Sequence, residues 1–180
     1  MKLIFLRHFK PNVQKDKPVA EWDLNEEGEK EMHDLLEKGI FKDVKKIFTS
    51  SENKAQITAK AVNQKYGTPI SVCPNITEVD RSKAGYVEGD YVEFVRLYLT
   101  ESNDFNFAWE NISDVRERIK KFIESIKNEN GDLLIISHGM CLSIMLSKYF
   151  EKDIINFWKN LKFGQVLEVD YEKLRKCWFN

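Results

Sequence analysis

Cysteine and histidine are scarce in this 180-residue chain, with three of each. Cys73, Cys141 and Cys177 are odd in number and scattered, which argues against a disulfide framework. No Cys-x-x-Cys occurs. With only His8, His33 and His138, a zinc site would need Asp or Glu at unremarkable spacings, so no metal and no cofactor is expected. No charge of one sign dominates either. The formal net charge is -1, which gives no footing for nucleic acid or for a polybasic membrane anchor. No apolar stretch approaches the ~20 residues that span a bilayer. The N-terminus reaches Arg7 after only a few apolar residues, too short a run for a secretory core, so the expected location is the cytoplasm. A Gly-x-x-x-x-Gly-Lys loop is absent, which sets an ATPase aside. No arginine follows Cys73 or Cys141 at the spacing of a cysteine-phosphatase loop.

What is present reads as an ordinary globular composition, 42% hydrophobic and 32% charged, of a length for one domain over residues 1–180. Leu3–Leu6 and Leu133–Ile136 are short unbroken apolar runs, as in parallel strands covered on both faces. Ile47–Phe48, Ile70–Val72 and Val166–Val169 are weaker strand candidates. Helical stripes lie between them. Ala55, Thr58, Ala59, Val62 and Tyr66 form one, and Val115, Ile119, Phe122, Ile123 and Ile126 another. Leu142, Met145, Leu146 and Tyr149, widened by Cys141 and Ile144, form a third that predicts a buried helix. Glu26 to Glu37 reads as a helix with Met32, Leu35 and Leu36 on its apolar side. The alternation predicts an α/β fold, a three-layer sandwich with a mostly parallel sheet and helices on both faces. Residues 80–111 are the least regular part, an aromatic-rich excursion with Tyr86, Tyr91, Phe94, Tyr98, Phe105, Phe107 and Trp109. A helix is expected there around Val92, Val95 and Leu99.

Ligands in such sheets bind beyond the carboxyl ends of the strands. Three polar clusters fall there: Arg7 with His8, then Thr49 to Ser51, then Ser137, His138 and Gly139. A neutral imidazole is a good nucleophile near pH 7, and a neighbouring arginine disfavours its protonated form. Arginine also grips phosphate or carboxylate through two parallel hydrogen bonds. "IISHGM" is a buried strand, a His, a Gly and then an apolar helix. Gly139 permits close backbone approach, the helix N-terminus favours an anion, and a protonated His138 would add to that field. Ser51 as N-cap would place Lys54 in a first helical turn, against the macrodipole, a conflict that a bound anion would remove. Each cluster alone also fits a plain strand end with satisfied side chains. His33 in its polar helix reads as solvated.

Together these segments resemble the histidine phosphatase superfamily, the phosphoglycerate-mutase-like family, first branch. "LRHFKP" is similar to its Leu-Arg-His-Gly opening and "WDLNEEGEKEM" to its Leu-Thr-x-x-Gly segment. "TSSENKAQITA" resembles Ser-Ser-x-x-x-Arg-Ala-x-x-Thr-Ala, "ITEVDRSKAGYVEG" resembles Leu-x-Glu…Glu-Gly, and "IISHGM" its Ser-His-Gly. The resemblance implies a metal-independent phosphomonoester hydrolase acting on a small phosphorylated substrate. His8 would become a phosphohistidine, and Arg7, Lys54, Gly139 and His138 would surround the phosphoryl group. Glu78 would donate a proton to the leaving oxygen and later activate water, with Asp80 as its rival. Burial could raise a carboxyl into the range that task needs.

The chain departs from the family pattern at Lys54, where arginine is usual, and at Phe9, Lys10 and Pro11. Losing one charge-assisted hydrogen bond costs roughly 1.5–3 kcal/mol, on the order of ten- to two-hundred-fold in rate. A slower enzyme is therefore expected. Phe9 could reshape the pocket floor or simply pack outward, and Lys10 or Asn12 could replace the hydroxyl lost at Pro11. A phosphomutase fits less well. A silent phospho-ligand or protein-binding domain is the reading from another class. Monomer and homodimer both remain open.

Overall fold

The computed structural model describes residues 1–84 and 88–179. In chain order the elements are β1 (Lys2–Arg7), α1 (Glu26–Glu37), β2 (Lys46–Thr49), α2 (Asn53–Tyr66) and β3 (Ile70–Val72). Then come α3 (Tyr91–Leu99), α4 (Ile112–Ser125), β4 (Leu133–Ser137), α5 (Gly139–Leu146), α6 (Ile154–Asn160), β5 (Val166–Asp170) and α7 (Tyr171–Phe179). The five strands form one sheet in the order β3-β2-β4-β1-β5. Four run parallel, and β5 lies antiparallel along β1 at one edge. This is the α/β sandwich expected from the pattern of apolar runs.

Side chains alternate across each strand, so one strand feeds two cores. Leu3, Phe5, Leu133 and Ile135 face α3 to α7, packing with Val95, Ile119, Phe122, Met145, Phe157 and Leu174. Ile4, Leu6, Ile47, Leu134 and Ile136 face α1 and α2, against Met32, Leu36, Ala55, Ala59 and Val62. β1 and β4 are buried on both faces, which is why they read as unbroken apolar runs. All eight residues of α5 are buried, as its apolar girth predicts. It ends at Leu146, so Tyr149 lies beyond the helix and packs on Phe150 instead of extending the stripe. His33 is exposed.

Two local features carry the chain away from β1 toward the site. α1 is capped by Asn25, whose side-chain oxygen accepts from the Gly28 N–H at 2.8 Å, and Glu26, Glu27 and Glu29 suit its positive end. Gly28 has no room for a side chain: a Cβ there would fall 2.4 Å from the Lys10 carbonyl oxygen. The helix start therefore packs directly on the backbone of residue 10. The Asn25 N–H donates to that carbonyl, and Pro11 bridges Leu24.

The departures at residues 9–11 resolve here. Phe9 is neither pocket floor nor surface. It is buried in the core with Leu24 and Met32. Gly164, at φ +67°, makes space for it, since a Cβ there would lie 2.6 Å from the Phe9 ring. The Lys10 amine pairs with Glu27 at an exposed position. Of the three, Pro11 is the one that reaches the cavity wall.

Candidate active site

The parallel register places the strand-end groups together. Arg7 pairs with Ser137 across β1 and β4, and Thr49 pairs with Ile136 across β2 and β4. The ladder runs one step past the strands: the His8 N–H donates to Ser137 O, and the Ser50 N–H to Ile136 O, both at 3.0 Å. His8, His138 and Ser50 are therefore neighbours at the carboxyl edge. The two imidazole centroids are 4.9 Å apart, and His138 Nε2 is 2.6 Å from Ser50 Oγ.

His8 is held in one tautomer. Its Nδ1 lies 2.7 Å from the Phe9 carbonyl oxygen, which only accepts, so Nδ1 carries the proton and Nε2 keeps its lone pair. Burial holds the imidazole well below its ordinary pKa, and His138, Lys54 and Arg7 press in the same direction against the Phe9 hydrogen bond. His138 is likewise neutral in the free protein. Burial pushes it down to about 3, with Lys54, Arg7 and Arg81 adding to the effect against the Glu78 carboxylate. Burial therefore opposes a charge on His138 in the free protein, although its Nε2 lies 3.8 Å from Glu52 Oε1.

Arg7 lines the cavity, its guanidinium 4.0 Å from the Phe163 ring centroid and bonded to the Leu161 carbonyl. Burial lowers its pKa, but a guanidinium stays charged at neutral pH. Gly139 is placed by this group, not on the cavity wall. A Cβ at Gly139 would lie 3.2 Å from Arg7 Cζ, so the glycine makes space for the guanidinium over the first turn of α5.

Lys54 is buried in the first turn of α2, as expected, but the N-cap is Glu52, one residue past Ser51. The ammonium group is paired with the buried Glu52 carboxylate and donates to Val19 O at 2.8 Å. The conflict with the helix dipole is thus answered by the protein's own acid. Sequence reasoning missed Glu52, although an acid two residues before a lysine destined for burial is the available signal.

Glu78 stands at the N-terminus of α5. Its carboxylate accepts from Met140 N at 3.1 Å, Cys141 N at 2.9 Å and Val79 N at 3.1 Å. The helix N–H groups expected to face a ligand are therefore partly taken by Glu78. Asp80 points elsewhere: its carboxylate accepts from Ser82 N, which holds its pKa below the usual value, and it is exposed.

A cavity of about 430 Å³ is lined by Arg7, His8, Lys54, Glu78, His138 and Arg81, with Trp22, Tyr91 and Phe163 among its apolar walls. Asp80 and Gly139 are not among its lining residues. Arg81 was not foreseen. Its guanidinium donates to the Tyr91 hydroxyl at 2.9 Å and lies over the Tyr91 and Trp109 rings. Tyr86, counted among the aromatics of the excursion, lies outside the described residues. Among the described residues, Arg7 Nε, Trp109 Nε1 and His138 Nδ1 are buried with no hydrogen-bond partner.

A neutral histidine with a free Nε2, a guanidinium and a carboxylate around one cavity at the carboxyl edge of a parallel sheet define a site suited to an oxyanion. The histidine phosphatase superfamily (branch 1) matches residues 3–176, and the chain belongs to that family. No curated protein sequence is similar enough to count as a match. Among solved structures, the fold is similar to alpha-ribazole phosphatase from Shigella flexneri, at TM-score 0.72 and 18% identity over 94% of this chain and 90% of that one. It is similar also to mycobacterial glucosyl-3-phosphoglycerate phosphatase (0.71, 14%, 94% and 90%). Phosphoserine phosphatase from Entamoeba histolytica is a third (0.69, 16%, 93% and 89%).

Proposed function

We propose that this protein hydrolyses phosphomonoesters through a phosphohistidine on His8. The observation that carries the reading is the His8 ring, buried and held neutral, with Nδ1 committed to the Phe9 carbonyl and Nε2 left as the nucleophile. Nε2 attacks phosphorus, and the P–O bond to the leaving group breaks. Glu78, which enters this step protonated, gives its proton to the departing oxygen and is left as the carboxylate. In the second half, Glu78 takes a proton from water, the water oxygen attacks phosphorus, and the P–N bond breaks, returning His8 and phosphate. Arg7 and His138 stabilise the phosphoryl oxygens, with His138 drawn toward its protonated form by the incoming dianion. Glu78 is favoured over Asp80 because it lines the same cavity as His8. Arg81, Glu88, Gly89 and Tyr91 close one side of that cavity, with Tyr91 and Arg81 facing the substrate body.

The pairing of Lys54 with Glu52 supports a second reading, a domain that binds phosphate esters without turnover, because it removes one free cation from the pocket. Hydrolysis of phenyl phosphate without added metal by wild type and His8→Ala decides between them. Turnover lost in His8→Ala supports the enzyme. Saturable binding of the ester with no turnover, across pH ~5–8 and a panel of phosphomonoesters, would establish the binding domain instead.

A further inference from the structure

Arg118, on α4, is committed to a segment that the proposed chemistry depends on. Its guanidinium forks onto Glu110, Nε to Oε1 at 2.8 Å and Nη2 to Oε2 at 3.0 Å. The remaining donors reach backbone and a thiol: Nη1 to Asn75 O at 2.8 Å and to Cys141 Sγ at 4.0 Å, and Nη2 to Glu78 O at 3.2 Å. Glu110 grips the same segment from the other side. Its Oε2 accepts from Asp80 N at 3.2 Å, and its N–H donates to Asp80 O at 2.8 Å. Both side chains are largely buried, at 15% and 19% exposure. Residues 77–80 have no helix or strand to satisfy their backbone, so these contacts take the place of one. A buried ion pair is poor evidence for stability, since desolvation offsets most of its attraction. Its value here is directional. Lysine could supply the charge, but not a planar fork that reaches two carbonyls and a carboxylate at once.

The clamp bears on Glu78 from outside the cavity. The Glu78 N–H donates to Glu52 Oε1 at 3.1 Å, its carbonyl accepts from Arg118, and its carboxylate rests on the amides of Met140 and Cys141. We propose that Arg118, oriented by Glu110, is the positioning residue for the Glu78 carboxylate. The guanidinium fixes the backbone of residues 75–78, and that backbone fixes where both carboxyl oxygens stand over the first turn of α5. Arg118 does not line the cavity and touches no substrate. The consequence for turnover rests on the reading of Glu78 as proton donor.

The test compares two esters. An alkyl phosphate cannot leave without a proton, whereas para-nitrophenolate leaves readily without one. Arg118→Lys lowers kcat/KM, which stops short of the dephosphorylation step shared by both esters, by about tenfold or more on ethyl phosphate, while kcat/KM on para-nitrophenyl phosphate changes less than about threefold. Glu110→Gln, the milder variant, shows the same bias in smaller measure. In a Glu78→Gln background, Arg118→Lys adds no further selective loss. An independent arm reads amide hydrogen exchange in the substrate-free protein. The Met140 and Cys141 amides exchange faster in Arg118→Lys, while Leu134 to Ile136 keep their protection. Equal losses on both esters, or unchanged exchange at Met140 and Cys141, overturns the clamp. No turnover by wild type on either ester defeats the phosphatase reading alone, and the exchange arm still decides the clamp.

Discussion

Two of the cations that line the cavity are held in opposite ways. Arg7, at the end of β1, has no carboxylate within ion-pair distance among the described residues, and its Nε is buried without a partner. It is held by a carbonyl and an aromatic face, which leave its charge uncompensated at contact range. Lys54, in the first turn of α2, is more deeply buried and carries its own counter-ion, Glu52. Burial beside an acid keeps a lysine folded and charged, but it leaves a nearly neutral pair facing the ligand. Of these two, Arg7 is the cation with charge left over for an oxyanion. It also gives the position-54 departure a physical meaning: lysine came with an acid two residues earlier, so the pair acts as a unit.

The largest expected effect follows from changing the uncompensated cation. Arg7→Lys loses the fork and should lower kcat/KM on phenyl phosphate by about ten- to two-hundred-fold. Removing both charges of the other pair, in Glu52→Gln with Lys54→Gln, should cost less than about tenfold. If the double variant loses more than Arg7→Lys, the contrast between the two cations is wrong. Stability should show the coupling. Lys54→Gln alone leaves Glu52 buried and unpaired, costing about 3–5 kcal/mol in urea unfolding, and the double variant should recover a good part of it.

A subtler probe is Gly139→Ala. Its Cβ would sit 3.2 Å from Arg7 Cζ, so the guanidinium must shift by a few tenths of an ångström. A several-fold fall in kcat with little change in Tm is expected, because misplacement of a positioned group acts on rate. Smallest is Lys54→Arg, for which turnover should be equal or faster, read in the same assay.

The histidine pair makes a pH prediction that separates site from surface. His8 and His138 both titrate lower in the folded protein than the ordinary 6.5. From there down to about 3 for His138, the unfolded chain therefore binds more protons than the folded one. Stability should fall as pH drops through that window, at about 1.4 kcal/mol per pH unit for each such group. His138→Asn should flatten the slope of Tm against pH over the same range.

Much of the fold was legible because it is written in local periodicity. Leu3–Leu6 and Leu133–Ile136 announce strands buried on both faces, and Glu26 to Glu37 reads directly as α1. The short amphipathic helices α6 and α7 carry too few turns to stand out. At the site, legibility ended where contacts span the chain. His8 and His138 could be brought together from topology alone, since each follows a parallel strand. That Glu78 caps α5, 62 residues away, and that Glu52 neutralises Lys54 depend on where side chains point after packing. Phe9 illustrates the same limit. Its burial is intelligible only beside Gly164, a residue far along the sequence with no motif of its own.

The central claim is that Nε2 of His8 carries the phosphoryl group. Its most direct test is rapid acid-free quenching of the enzyme with a phosphorus-labelled aryl phosphate, followed by mapping of the labelled peptide. The account predicts a label on the peptide containing His8, stable to base, labile to acid, and absent in His8→Ala. A label that persists in His8→Ala, or a stable bond to a hydroxyl or carboxylate side chain, would contradict it.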